Sequence, residues 1–295
     1  MSRLLKTFTR IPLAFLYPVA RLIDFVTFHL LHWRREYTER DIGNAFPERG
    51  ATERAEILRQ SYRNAADTLV EAFWGFGASA EALKQRVLFE NPEVIKLRAD
   101  AGQSVVLLTA HYGNWEWLLL AAGVQFGIPI DVLYQPQRIA AVDTFLREAR
   151  GRFGGNLIPR KEFIFALMTA GNARVYALIA DQTPRPEDPK LWTRFLQQDT
   201  AFFVGAGKVA RFLDAQVVYV DMQRVRRGYY TVRFKVLAEP PYADGEDALI
   251  VQRYAADLEQ GIRASPADWL WLQKKWKYAK PPVDRATEPG LAARE

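Results

Sequence analysis

Short, continuous apolar runs alternate along this chain with longer stretches in which apolar residues recur every three or four positions, the pattern of strands followed by helices. The runs predict strands over residues 105–109, 130–134, 156–158, 175–180, 217–221 and 229–236. The periodic stretches predict helices over 52–76, 115–126, 142–153, 162–169, 205–213 and 248–263, the first capped by Thr52 with acidic residues in its opening turn. Alternation of this kind builds an α/β fold, a mostly parallel central sheet with helices flanking both faces. Val225-Arg226-Arg227-Gly228-Tyr229 reads as a hairpin turn and adds an antiparallel edge. There is no internal repeat, and one large domain accounts for most of the 295 residues.

Residues 11–33 stand apart from this alternation. They are strongly apolar and long enough to cross a bilayer, with Arg3, Lys6 and Arg10 before them and Arg34-Arg35 after. Pro12, Pro18, Arg21 and Asp24 interrupt the run, and Arg21 with Asp24 has the spacing of a helical ion pair. Cations on both flanks weaken a simple crossing, and no small-residue cleavage site follows. The segment is expected to be an N-terminal membrane-anchoring helix, tilted across the bilayer or lying in its interface. A docking helix of a soluble body is the alternative. The expected organisation is an anchor over 1–36, a main domain over 37–280 and a loose Pro-, Ala- and charge-rich tail over 281–295.

Composition sharpens the picture at three points. Apolar residues make up 49% of the chain and there are eight tryptophans, enough for a substantial core and an interfacial aromatic belt. A net charge of +6 favours anionic partners such as phospholipid headgroups or an acidic carrier protein. It equally suits nucleic acid, but no nucleic-acid-binding motif accompanies it. The absence of cysteine fits a reducing compartment and removes thiol nucleophiles and zinc-thiolate sites.

Chemistry concentrates in Thr109-Ala110-His111-Tyr112-Gly113-Asn114-Trp115-Glu116-Trp117, immediately behind the strand at 105–109. Ligands in open α/β sheets bind beyond the carboxyl ends of strands, at the helix N-termini that follow. Among the three histidines, His29 and His32 belong to the apolar N-terminal segment, so His111 is the candidate for proton transfer. His111 and Glu116 are five apart, about 140° on a continuous helix. They converge only if His111 sits on the turn and Glu116 on the first helical turn. That arrangement predicts a dyad in which Glu116 orients the imidazole and His111 takes a proton from a hydroxyl. A capped core histidine with a surface glutamate fits the same residues. No G-x-S-x-G elbow appears, so the nucleophile would be the substrate's own hydroxyl.

These residues bring a family into view. The His-x4-Glu block resembles the signature of glycerolipid-type acyltransferases, and the chain is similar over roughly residues 10–280 to the bacterial lipid A biosynthesis acyltransferase family. Arg34-Arg35 followed by Asn44-Ala45-Phe46-Pro47-Glu48 resembles that family's basic pair and N-x-x-F-P-E segment, and the helix running to Glu71-Ala72-Phe73-Trp74 resembles the stretch before the dyad. Tyr134-Gln135-Pro136, Arg147-Glu148-Ala149-Arg150-Gly151-Arg152-Phe153-Gly154 and Asp181-Gln182 resemble later blocks. Ser265-Pro266-Ala267-Asp268-Trp269-Leu270-Trp271 with Lys274-Lys275-Trp276-Lys277 resembles the C-terminal one. The chain departs from the pattern at Gln135, where the family often has arginine, in the loop Thr183-Pro184-Arg185-Pro186-Glu187-Asp188-Pro189, and at Gln273, where histidine is common. Two segments, Phe195-Leu196-Gln197 and Phe202-Phe203-Val204-Gly205, compete for the family's Phe-Phe-Gly.

The resemblance implies an enzyme that moves a fatty acyl group from a thioester of acyl carrier protein or CoA to a hydroxyl of a lipid A precursor, without cofactor or metal. It implies the bacterial inner membrane as location, with the main domain on the cytoplasmic face. His111 and Glu116 are the expected catalytic pair. Asn114, Arg150, Asp181, Gln182, Lys274 and Lys275 are the expected substrate-binding residues. Simple helix capping is the alternative for Asn114 and a turn-forming role for Asp181. Another membrane glycolipid as acceptor, or a non-catalytic lipid-binding protein of the same fold, remains open at this point.

Overall fold

The computed structural model describes residues 11–169 and 174–281; the start of the expected anchor and nearly all of the expected tail lie outside them. In chain order come α1 (Leu13–Phe25), continued by a π-helical turn (Val26–Leu30), α2 (Arg35–Ala45), α3 (Ala51–Gly75), α4 (Ala80–Arg86) and β1 (Val87–Phe89). Next are α5 (Glu93–Asp100), β2 (Val105–Thr109), α6 (Trp115–Phe126), β3 (Ile130–Tyr134), α7 (Ala140–Gly151), β4 (Gly155–Pro159) and α8 (Phe163–Thr169). The remainder is β5 (Val175–Ile179), β6 (Lys190–Phe195), β7 (Gln198–Phe203), α9 (Gly205–Leu213), β8 (Gln216–Arg226), β9 (Tyr229–Ala238) and α10 (Glu246–Ala264).

Seven strands form one sheet in the order β1-β9-β8-β2-β5-β3-β4, and every neighbouring pair is parallel except β8 with β9. The fold is therefore α/β with a mostly parallel sheet. All five residues of β2 are buried, as required of a strand covered on both faces. Alternate side chains divide between two cores. Val105 and Leu107 join Ile130, Val175 and α6 on one face, and Val106 and Leu108 join Tyr176, Leu178, α9 and α10 on the other. The β8–β9 hairpin is antiparallel, but β9 is not the edge strand. β1 pairs outside it in parallel, a three-residue strand too short to leave a periodic signal. A second antiparallel pair, β6–β7, turns through Leu196 and Gln197, both at positive φ.

Connections from β2 and β5 diverge. The chain leaves β2 through α6 on one face, whereas β5 leads through β6–β7 to α9 on the other. Adjacent parallel strands whose continuations part to opposite faces open a crevice at their carboxyl ends, the usual ligand position in such sheets. The N-terminal helix packs along α3. Asp24, the acid inside the apolar segment, forms a bidentate pair with Arg59 of α3 at 2.5 Å rather than the expected helical pair with Arg21. A partner on the neighbouring helix satisfies a buried charge better than one on the exposed side of its own helix.

Candidate active site

Sheet register decides which groups meet at the crevice. Thr109 of β2 is paired with Ile179 of β5, so the residues two positions further on, His111 and Asp181, emerge side by side beyond the sheet edge. The His111 amide donates to Asp181 Oδ2 at 3.0 Å, and its ring Nδ1 lies 2.8 Å from Oδ1. Trp269 Nε1 and Gln273 Nε2 donate to Oδ2 at 2.9 and 2.8 Å. Burial alone would raise the Asp181 carboxyl. The adjacent imidazole and the hydrogen bonds from His111, Gln273 and Trp269 outweigh it and hold the group well below the usual carboxylate range. An ionised carboxylate only accepts hydrogen bonds. The imidazole proton is therefore on Nδ1, and Nε2 carries the lone pair of a base.

Glu116 does not hold the imidazole. It is clamped by Arg150 of α7, with Nε to Oε2 at 2.8 Å and Nη2 to Oε1 at 2.5 Å. The imidazole Nδ1 is already engaged by Asp181, and Trp115 stands edge-on to the ring at 5.0 Å between centroids. His111, Glu116 and Arg150 nevertheless line one cavity. Glu116 thus fixes a guanidinium in the cavity wall. Alanine at either position is expected to lower kcat/KM by roughly ten- to a hundred-fold, with the double variant little worse than the poorer single one. A double-mutant cycle on initial rates measures this, and additive losses would contradict a shared role.

The turn that delivers His111 is built from behind. Gly113 lies at φ +62°, and a Cβ there would come within 2.9 Å of the Met222 carbonyl. The C-terminal segment pairs with the turn: Leu270 N donates to the His111 carbonyl, Gly113 N to the Asp268 carbonyl, and Tyr112 bridges Trp269. Asn114 caps α6 by accepting from Trp117 N at 3.0 Å and donates to buried Glu71 at 3.0 Å. Fully buried, it caps the helix and does not line the cavity.

The C-terminal cations also differ from expectation. Trp269 and Trp271 are buried and pack with Trp276 in an aromatic cluster, Trp269 edge-on to both and Trp271 stacked on Trp276, not in an interfacial belt. Lys275 is buried behind Asp181, with Nζ donating to the Ala201 carbonyl at 3.1 Å and lying over the Phe202 ring. It therefore cannot bind a lipid phosphate. Lys274 is exposed but does not line the cavity; Lys277 does.

Burial lowers the Lys275 amine to about 7, against 10.5 when free. Below pH 7 the amine is charged in folded and unfolded chains alike. Between about 7 and 10 the unfolded chain still binds the proton that the folded chain has released, so this group makes stability rise with pH. Urea midpoints measured across that range are expected to climb in the parent and to climb less in Lys275→Met. Equal slopes would refute the assignment.

The cavity holds about 1110 Å³, at or above the upper end of ordinary small-molecule sites. Of the expected binding residues, Arg150 and Gln182 line it, as does Gln135. Tyr134, absent from the expected set, lines it with a buried hydroxyl that has no hydrogen-bond partner among the described residues. Its place at the end of β3, beside the resemblance at 134–136, was the available signal.

A histidine base lining a largely apolar cavity, in a chain without cysteine, is suited to activating a hydroxyl for attack on an acyl group, and the family match identifies the class as acyltransferase. The bacterial lipid A biosynthesis acyltransferase family matches residues 3–278, and the chain belongs to that family. It is 20% identical over 241 residues to lipid A biosynthesis acyltransferase 2 of Shigella flexneri, covering 80% of this chain and 75% of that protein. It is 22% identical over 240 residues to the lipid A biosynthesis myristoyltransferase of Escherichia coli strain K12, covering 80% and 73%.

Proposed function

We propose that the protein transfers a fatty acyl group from a thioester of acyl carrier protein or CoA to a hydroxyl of a lipid A-type glycolipid. The observation that carries this reading is the His111–Asp181 pair, whose imidazole lines the apolar cavity. His111 Nε2 accepts the proton of the acceptor hydroxyl as its oxygen attacks the thioester carbonyl. Asp181 stabilises the imidazolium that forms. Arg150 and the positive end of α6 supply potential for the tetrahedral oxyanion. Collapse breaks the carbon–sulfur bond, the imidazolium protonates the departing thiolate, and the products are ester and free thiol. No acyl-enzyme and no cofactor enters the scheme.

The acyl chain of the donor fits the part of the cavity between the sheet and α6. Leu107, Leu118, Ala122, Val220 and Phe234 line this closed end and are all buried. Ala122→Phe would fill it, and is expected to shift preference from long-chain to medium-chain thioesters by roughly ten-fold or more. Competition assays with mixed chain lengths measure the shift, and an unchanged preference would refute this placement.

Membrane attachment rests on α1. Leu13, Leu16 and Ala20 face the body, whereas Phe15, Val19, Leu22 and Phe25 form an exposed apolar stripe, 71% exposed at Phe15. Among the described residues Leu13–Leu30 is the one segment long and apolar enough to cross a membrane. With Arg34 and Arg35 beside it, the stripe suits the cytoplasmic face of the bacterial inner membrane. Helical packing along α3 makes this segment part of the body as well as an anchor, within the proposed division at 36 and 280. The test is mass spectrometry of acyl transfer by detergent-purified protein, supplied with acyl-carrier-protein or CoA thioester and a lipid A precursor. A single added acyl mass supports the reading. Transfer only to a different glycolipid would replace the acceptor, and lipid binding without turnover would replace the activity.

A further inference from the structure

The cavity does not stop at the face of the sheet that holds α6. Its lining continues past the carboxyl edge of β5 to the opposite face, where Phe163, Leu167 and Met168 of α8 and Val209 and Phe212 of α9 line it together with Leu178. The divergence of the β2 and β5 connections explains why both faces are reached, with His111 at the junction. The two arms differ in character. The α6 arm is closed by buried residues, whereas the α8–α9 arm is an open groove with Met168 69% and Phe212 61% exposed. Two exposed cations, Lys208 of α9 and Lys277, also line the cavity. Neither lysine makes an ion pair among the described residues.

We infer that the α8–α9 groove holds an alkyl chain of the acceptor lipid, with Lys208 and Lys277 receiving its anionic headgroup. The inference rests on the acyl-transfer reading above and adds the acceptor's place. A single donor chain suits the arm lined by the buried residues Leu107, Leu118, Ala122, Val220 and Phe234. A lipid with further chains in the bilayer needs a groove open along its length, and apolar walls with exposed cations match such an amphiphile. Continuity of the groove with the cavity at His111 sets the acceptor hydroxyl beside the base when the chain is seated.

Two variants test it with the full-length enzyme and a lipid A precursor as the probe. Val209→Trp fills the groove, and Met168→Asp, at an exposed position where folding tolerates it, sets a carboxylate in its wall. Each is expected to raise the acceptor KM by about ten-fold or more while leaving the donor KM and donor chain-length preference unchanged. Lys208→Glu is expected to raise the acceptor KM in a salt-sensitive way. Thermal melts confirm folding of each variant. Unchanged acceptor KM in Met168→Asp, or a change in donor chain preference instead, would overturn the inference while the parent enzyme still turns over. A parent enzyme without acyl transfer would instead refute the activity on which it rests.

Discussion

Replacing His111 with alanine is expected to leave a folded protein whose turnover falls by about 10³- to 10⁴-fold, the upper part of the range a positioned general base contributes and more than any other single change in the cavity. The side chain is not a core element: the turn that carries it is held by backbone bonds to Asp268 and Leu270 and by the Tyr112–Trp269 bridge. Acyl transfer rates with saturating donor, alongside a thermal melt, check the result. Turnover within ten-fold of the parent would remove His111 from the mechanism.

Asp181→Asn is expected to be nearly as severe, by about 10²- to 10⁴-fold, for a different reason. The substitution keeps the volume and leaves one oxygen. That oxygen is best placed where Oδ2 now accepts from the His111 amide, Trp269 and Gln273. The new amide group then faces His111 Nδ1 and donates to it. The ring proton moves to Nε2, and the lone pair needed for catalysis is gone. Glu116→Gln keeps the His111–Asp181 pair intact, so its loss is expected in kcat/KM without displacement of the pH profile. The same assays across pH separate the two. A larger effect at Glu116 with a shifted acid limb would restore the glutamate as the partner of the imidazole.

Much of this site was legible in the sequence because its parts are local. The run behind His111 is a strand buried on both faces, and the apolar stretch after Asn114 is a helix with its own cap. Both therefore fall where the pattern puts them, at Val105–Thr109 and Trp115–Phe126. The family likeness carried the activity. What the spacing could not carry is pairing between distant segments. His111 and Asp181 are 70 residues apart, and Glu116 and Arg150 are 34 apart. Each pair is set by which strands and helices become neighbours. A separation of five positions between His111 and Glu116 suggested contact, but the imidazole is taken by Asp181 and the glutamate by Arg150. Knowledge that β2 and β5 are adjacent would have been enough, since Asp181 ends one strand as His111 ends the other.

Lys275 and the tryptophans show the reverse case. Alternating cations and aromatics read as a surface patch, because a lysine in a core carries a large desolvation cost. Here the segment folds back under the His111 turn. Its aromatic rings become the floor of the site, and Lys275 is accommodated by carbonyls of Gln182 and Ala201 with Asp181 nearby. The strands β1, β6 and β7 escaped for a simpler reason: β1 is only three residues long, and β6 and β7 mix their apolar residues with charged and polar ones.

The most direct test is the tautomer of His111, read by NMR on protein labelled with 15N-histidine, with His29 and His32 replaced by glutamine to leave one signal. The expected spectrum at neutral to mildly basic pH shows the proton on Nδ1. That state should persist in Glu116→Gln and switch to the Nε2-protonated form in Asp181→Asn. A switch caused by Glu116→Gln, with none caused by Asp181→Asn, would contradict the assignment of Asp181 as the residue that makes His111 a base.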